Sequence, residues 1–257
     1  MRQQSRVKVV VRGAVIGGPR PLICLPLVGK STTEVLEEAL ALSALRPDLL
    51  EWRVDAWAQI KNSVECVRTL QGLRRCIGDI PLLFTCRIET EGGLQKIAQE
   101  QRLHLYLGAI QSGDVDIVDV ELCNGPEFIE SIREVAQANG VKVILSYHNF
   151  SKTPSEAFIS AKLVEAQDAG ADIVKLAVMP KNYGDVLTLL RATNRARNES
   201  INGPIVSMSM GAEGAVSRLV GGLFGSDITF AVGLQASAPG QIPIAELRAA
   251  MAVLYEK

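Results

Sequence analysis

The stretch IVKLAVM, residues 173–179, is short, apolar and β-prone, and a single lysine, Lys175, interrupts it. Alternate residues of a strand face opposite sides, so Lys175 stands on one face and Val174 and Leu176 on the other. Two comparable runs precede it: IVDVELC from Ile117 and VILSYHN from Val143. Further out lie LICLPLV from Leu22, LLEWRVD from Leu49, PLLFTCR from Pro81, PIVSMSM from Pro204 and ITFAVGL from Ile228. The eight runs start 24 to 36 residues apart, close to the ~30 residues of one β–α unit. The segments between them carry helix signals. STTEVLEEALALSALR (31–46) opens on Ser/Thr caps and early acids, PSEAFISAKLVEAQDAG (154–170) ends on a C-cap glycine, Gly170, and IPIAELRAAMAVLY (242–255) has a long apolar face. Eight such units without a linker-like stretch predict an α/β protein, a closed (β/α)8 TIM barrel forming one domain over residues 1–257. VKVVVRGAVIG (7–17) is expected to form a short hairpin outside the repeat. An open doubly wound sheet fits less well, because no GxGxxG or GxxxxGK[ST] follows the first strand.

Composition narrows the function. With 27 basic and 28 acidic residues the net charge is −1, which gives no electrostatic footprint for nucleic acid or an anionic membrane. The five cysteines form no CxxC pair, and their odd number argues against a secreted disulfide framework. Two histidines, His104 and His148, leave no HExxH motif and no three-histidine zinc site. No signal-peptide core or span of ~20 apolar residues is present, so the expectation is a soluble cytoplasmic protein.

Strand parity then singles out the interior. Glu51, Arg53 and Asp55 share a face in the second run, Thr85 and Arg87 in the third, Asp119 and Glu121 in the fourth, and Ser146 and His148 in the fifth. The opposite faces are apolar and suit packing against helices, which turns the charges into the barrel. Barrel interiors are ordinarily filled by branched apolar side chains. A buried ion-pair network is the structural explanation, but such networks are a poor source of stability. Charges converging from five consecutive strands, toward the ends where barrel enzymes place their chemistry, point instead to an active site.

Lys175 is suited to attack a ketone and form a Schiff base if it is held partly neutral, and equally suited to a structural pair with Asp119 or Glu121. His148, one unit earlier in SYHNF, is positioned to move a proton beside a carbonyl or imine. His104, in the helical QRLHLYLGAI, reads as a surface or packing residue. SMGAEGAVSR (209–218) offers a glycine-rich helix start and Arg218 for an anion, or an ordinary turn. QASAPGQIP (235–243) is a short polar loop that either closes over a ligand or merely connects.

Taken together, EWRVD, FTCRIETEGG, IVDVEL, SYHNF, IVKLAVM, SMGAEGAVSR and SAPGQI, in that order from about Leu22 to Gln241, resemble the type I 3-dehydroquinate dehydratases. The resemblance implies a lyase of the shikimate pathway of aromatic amino-acid biosynthesis, commonly a homodimer, that needs no metal or cofactor. It would eliminate water from 3-dehydroquinate in the syn sense to give 3-dehydroshikimate. It further implies Lys175 as the imine-forming lysine, His148 as general base and acid, and Glu91 as the acid that orients the histidine. Arg218 would bind the substrate carboxylate, and Glu51, Arg53 and Arg87 would hold hydroxyl groups. Ser237 and Gln241 would belong to the closing loop, with Met208 and Met210 as apolar contacts. Asp55, Asp119 and Glu121 would be supporting carboxylates. The first strand departs from the pattern, with apolar or Cys residues in LICLPLVGK (22–30) where a polar one is expected. Two other readings share the inward lysine: a class I aldolase-type barrel that cleaves a carbon–carbon bond, and a ligand-binding barrel without activity. The small-molecule substrate is expected to be the only partner besides a second copy; a fused dehydrogenase would lie outside this chain.

Overall fold

The computed structural model describes residues 2–255. A two-stranded antiparallel hairpin, β1 (Val9–Val11) and β2 (Ala14–Ile16), comes first. Its two-residue loop, Arg12-Gly13, has both residues at positive φ, 44° and 81°, the twist a tight hairpin requires. Eight parallel strands follow: β3 (Leu22–Leu27), β4 (Leu49–Arg53), β5 (Leu82–Thr85), β6 (Ile117–Glu121), β7 (Lys142–Asn149), β8 (Ile173–Val178), β9 (Ile205–Ser209) and β10 (Ile228–Phe230). Each pairs with the next from β3 to β9, and β10 pairs back onto β3. The helices between and after them are α1 (Thr32–Ala44), α2 (Ser63–Ile77), α3 (Gln99–Gln111), α4 (Pro126–Ala138), α5 (Glu156–Asp168), α6 (Tyr183–Glu199), α7 (Gly211–Val220) and α8 (Ile244–Tyr255). The eight repeats of the sequence are therefore the eight units of a nearly closed (β/α)8 barrel, with the hairpin outside it. None of these helices is long and apolar enough to cross a membrane.

Local signals act where they stand. Ser31 caps α1 by accepting the Glu34 N–H, Ser155 caps α5 by accepting that of Phe158, and Gly170 follows α5 at φ 84°. The strands divide the protein into two apolar clusters. Outward side chains such as Trp52, Phe84, Val118, Leu145 and Leu176 lie under the helices. There Trp57, Trp52, Phe84, Tyr106 and Phe128 form a chain of edge-to-face contacts with successive centroids 5.7 to 6.3 Å apart. The inward cluster is smaller: Cys24, Leu49, Leu83, Ile117, Ile144, Ile173, Val206 and Ile228 fill the N-terminal half of the barrel. Val9, Val11 and Ile16 of the hairpin pack onto them, so the hairpin plugs that end. The inward face is thus layered, apolar below and charged above, rather than charged throughout.

The seam between β9 and β10 has a single parallel bridge, Ile205 to Ser226, in place of a ladder. Asp227 reinforces it. Its amide donates to the Ile205 carbonyl (2.6 Å), and its carboxylate accepts the Ile205 N–H (2.8 Å), Ser5 Oγ (3.0 Å) and the guanidinium groups of Arg197 and Arg2. All of these side chains are buried. Replacing Asp227 with Ala would strand two buried guanidinium groups, which costs about 3–5 kcal/mol. Thermal or urea unfolding of Asp227→Ala should show that loss, against little change for Asp79→Ala on the exposed surface.

Candidate active site

The C-terminal half of the barrel opens into a cavity of about 450 Å³, counting the part that is open to solvent. Glu51, Arg53, Arg87, Glu91, His148, Lys175, Met208, Met210, Arg218, Ser237 and Gln241 all line it, whereas the supporting carboxylates Asp55, Asp119 and Glu121 are buried behind that wall. Gly92, Phe150, Ala177, Phe230 and Ala238 complete the wall. His104 lies elsewhere, exposed on α3.

The register explains the convergence. Ser146 of β7 stands opposite Lys175 of β8, and Ala177 opposite Met208 of β9, so inward residues of adjacent strands share layers. Two of the charged residues sit past their strands rather than in them. Asp55 belongs to a 3-10 turn, Val54–Ala56, and Arg87 follows the end of β5. The strands are shorter than the apolar runs because carboxylates, not neighbouring strands, take over the backbone there. Asp55 accepts the amides of Arg87 (3.2 Å) and Leu94 (3.1 Å) and binds Arg53 through two bonds of 2.9 and 2.8 Å. Burial opposes ionisation of Asp55, but the Arg53 guanidinium outweighs it and holds the carboxyl below the usual range.

The glycine pair of the TEGG segment sets the position of Glu91. Gly92 has φ 89°, and a Cβ on it would fall 2.4 Å from the Phe150 ring; a Cβ on Gly93 would fall 2.1 Å from the Arg87 carbonyl oxygen. Only glycines let this loop fold back far enough to bring Glu91 under β7. Glu91 Oε2 accepts the backbone N–H of His148 at 2.8 Å and lies 2.9 Å from its Nδ1. This arrangement favours the tautomer with hydrogen on Nδ1 and a free lone pair on Nε2. Burial, aided by Arg87 and Lys175, keeps the imidazole pKa well below its ordinary value, so the ring is neutral at pH 7. Burial also pushes the Glu91 carboxyl up to about 7.

Lys175 is buried, with its ammonium 2.6 Å from Asp119 Oδ2, 4.0 Å from Glu51 Oε1 and 4.7 Å from the centre of the Phe230 ring. The ion pair to Asp119 foreseen as the structural alternative is therefore present. It does not bind the lysine exclusively. Asp119 also accepts two bonds from Arg87 (3.1 and 2.9 Å) and one from Ser146 Oγ (2.6 Å). If the lysine gives up its proton, Arg87 still neutralises Asp119.

Arg218 is the opposite case. It reaches in from the last turn of α7, buried, donating to the carbonyls of Phe230 (3.3 Å) and Pro239 (3.0 Å). Among the described residues no carboxylate pairs with it, and its Nε has no partner. Burial lowers its pKa to about 10, so it remains a cation that lacks an anion. At the start of α7 the Gly211 N–H is already engaged, donating to the Pro239 carbonyl at 3.2 Å. Ser237 and Gln241 brace the same loop, the Ser237 amide donating to Gln241 Oε1 at 2.9 Å and Gln241 Nε2 to Ser237 Oγ at 3.2 Å.

Known proteins similar to this chain are numerous. Residues 23–257 match the model of a family described as type I 3-dehydroquinase. The chain belongs to that family. It is 46% identical over 253 residues to the 3-dehydroquinate dehydratase of Geobacillus thermodenitrificans, covering 98% of each chain. To that of Aromatoleum aromaticum it is 47% identical over 246 residues, covering 95% of this chain and 94% of the relative. Among solved structures, the type I 3-dehydroquinate dehydratase of Clostridium difficile with covalently modified comenic acid superposes with a TM-score of 0.95 at 42% identity, covering 97% and 98% of the two chains.

Within this type I 3-dehydroquinase barrel, parity found the charged residues but passed over two others. Phe230 shares the inward face of ITFAVGL with Ile228, so the same alternation locates it once β10 is aligned. Arg102 sits on α3 in a segment that reads as a solvated helix face, yet it is buried and bonds Glu121 at 2.6 Å. The tautomer of His148 is directly observable. Imidazole ¹⁵N spectra, assigned against His148→Asn, should show a neutral Nδ1–H ring at pH 6.5 that protonates only well below that value. An imidazolium at pH 6.5 would contradict the burial argument.

Proposed function

We propose that this chain catalyses the dehydration of 3-dehydroquinate to 3-dehydroshikimate through an imine on Lys175. It acts as a lyase of the shikimate pathway. The observation that carries the reading is a buried amine and a neutral imidazole in one cavity with an unpaired guanidinium, Arg218. Lys175 Nζ, once deprotonated, adds to the substrate ketone, and loss of one water leaves a protonated imine. His148 Nε2 removes a proton from the adjacent carbon, and the electron pair moves into the imine to give an enamine. The enamine then expels the β-hydroxyl, which takes a proton from the imidazolium and leaves as water. Hydrolysis of the imine consumes one water and returns Lys175, so the net change is loss of one water from substrate.

Glu91 holds the His148 ring in the tautomer this cycle requires. Arg218 receives the substrate carboxylate, while Glu51, Arg53 and Arg87 form the wall that faces its hydroxyl groups. Ser237 and Gln241 cover the bound substrate, and Met208 and Met210 pack against its ring. Asp55, Asp119 and Glu121 support the cations without entering the covalent steps. Residues 1–257 are read as one domain, working in the cytoplasm as a homodimer; the family resemblance supports the dimer, and the unpaired cysteines support the compartment.

Borohydride trapping with 3-dehydroquinate, followed by peptide mass mapping, tests the proposal. An adduct on the Lys175 peptide is expected, absent in Lys175→Met, whose turnover should fall on the order of 10⁴-fold. Arg218→Met should raise KM by about 10- to 100-fold, the worth of a charge-assisted pair. A folded protein that binds the compound but yields no adduct, or an adduct on another lysine, would refute the assignment.

A further inference from the structure

Arg102 lies outside the cavity, on the helix between β5 and β6, yet it is among the largest fully buried side chains of the protein. Its guanidinium donates to Glu121 Oε2 (2.6 Å) and Asn124 Oδ1 (2.7 Å) and lies 5.6 Å from the centre of the Phe128 ring. Glu121 turns its other oxygen to Arg87 Nη1 (2.7 Å) and to the Ile88 amide (3.1 Å). Arg87 in turn grips both oxygens of Asp119, and Asp119 holds the Lys175 ammonium. Five side chains of alternating charge therefore run without a gap from α3 to the amine. We propose that Arg102 is a positioning residue for Lys175, acting through Glu121, Arg87 and Asp119.

The effect follows from charge sharing. Glu121 divides itself between Arg102 and Arg87. Without Arg102, Glu121 draws more heavily on Arg87, so Arg87 neutralises less of Asp119. Asp119 then binds the Lys175 ammonium more tightly, and less free amine exists at neutral pH. Other groups facing Lys175 are Glu51 from β4, Cys24 from β3 and His148 from β7, with Arg87 beyond Asp119. Around Arg102 the remaining groups are Tyr106, Cys86 and Cys123. None of them carries a charge near neutrality, because burial raises the pKa of all three. Among the described residues Glu121 is thus the anion whose charge Arg102 offsets.

The functional consequence rests on the imine reading above, so the test uses a readout that does not. Competitive labelling of the native protein with acetic anhydride across pH, quantified on the Lys175 peptide, reports the amine directly and needs no substrate. Arg102→Gln should move the labelling midpoint up by about half to one pH unit, equal to roughly three- to tenfold less free amine at pH 7. Arg102→Lys, which keeps the charge, should restore most of it. Glu121→Gln removes the anion and should move the midpoint the other way, and it carries the test if Arg102→Gln is not recovered folded. In turnover, Arg102→Gln should lower kcat with KM within about twofold, since Arg102 touches no substrate. Unchanged midpoints in folded Arg102→Gln or in Glu121→Gln would overturn the proposal. Shifted midpoints without any imine adduct would uphold the relay and refute the dehydratase reading instead.

Discussion

Asp119 accepts four hydrogen bonds in the middle of the barrel, and the arrangement of the charged layer depends on it. A carboxylate with no solvent exposure costs several kcal/mol to bury unless its charge and lone pairs are met. Burial alone would raise its pKa; Arg87 and Lys175 reverse that and hold it strongly ionised. Arg87 is then fixed between Asp119 and Glu121, and its backbone amide is fixed by Asp55. Asp55 orients Arg53. One buried anion thus sets the geometry of cations supplied by three strands and their following turns.

The charge balance of this layer favours one class of ligand. Glu51, Asp55, Asp119 and Glu121 face Arg53, Arg87, Arg102 and Lys175, four anions against four cations. His148 is neutral, and Glu91 is weakened as an acid by burial. Arg218 is left over, without a carboxylate among the described residues. A monoanionic ligand with hydroxyl groups completes the charge balance, whereas a phosphate dianion would leave an excess negative charge in a low-dielectric pocket. Under the proposed function, the substrate carboxylate supplies the anion that Arg218 lacks, and binding energy is thereby directed to one class of molecule.

Much of this was legible because β-strand geometry has a period of two. Once the eight runs were recognised, alternation alone placed Glu51, Arg53, Arg87, Asp119, Glu121, His148 and Lys175 on one side, and the structure brings them together. Glu91, Arg218, Ser237 and Gln241 are different. They stand on loops or at a helix end, where no period operates: the loop motifs left Arg218, Ser237 and Gln241 between a ligand-binding and a plain connecting role, and Glu91 is marked by the resemblance to a family alone. The layering of the interior was not legible either, because inward residues below and above the midpoint obey the same alternation. It follows from length: each strand spans two or three inward positions, and the hairpin fills the first with apolar contacts.

Arg102 shows the limit of pattern reading most clearly. An arginine on a helix is ordinarily a solvated residue, and its neighbours Gln99, Gln101 and His104 reinforce that impression. What buries it is tertiary: α3 crosses the end of β6 where Glu121 needs a second cation and Phe128 of α4 closes over the guanidinium. Stability gives one reason for such a residue, since removing one partner of a buried ion pair costs about 3–5 kcal/mol. An apolar residue at position 102 would also leave Glu121 with Arg87 as its sole cation and so change how Asp119 divides itself between Arg87 and Lys175. A positive charge at this position therefore serves two ends at once: it partners the buried Glu121, and it sets how much of Arg87 is left to Asp119 and so to the lysine.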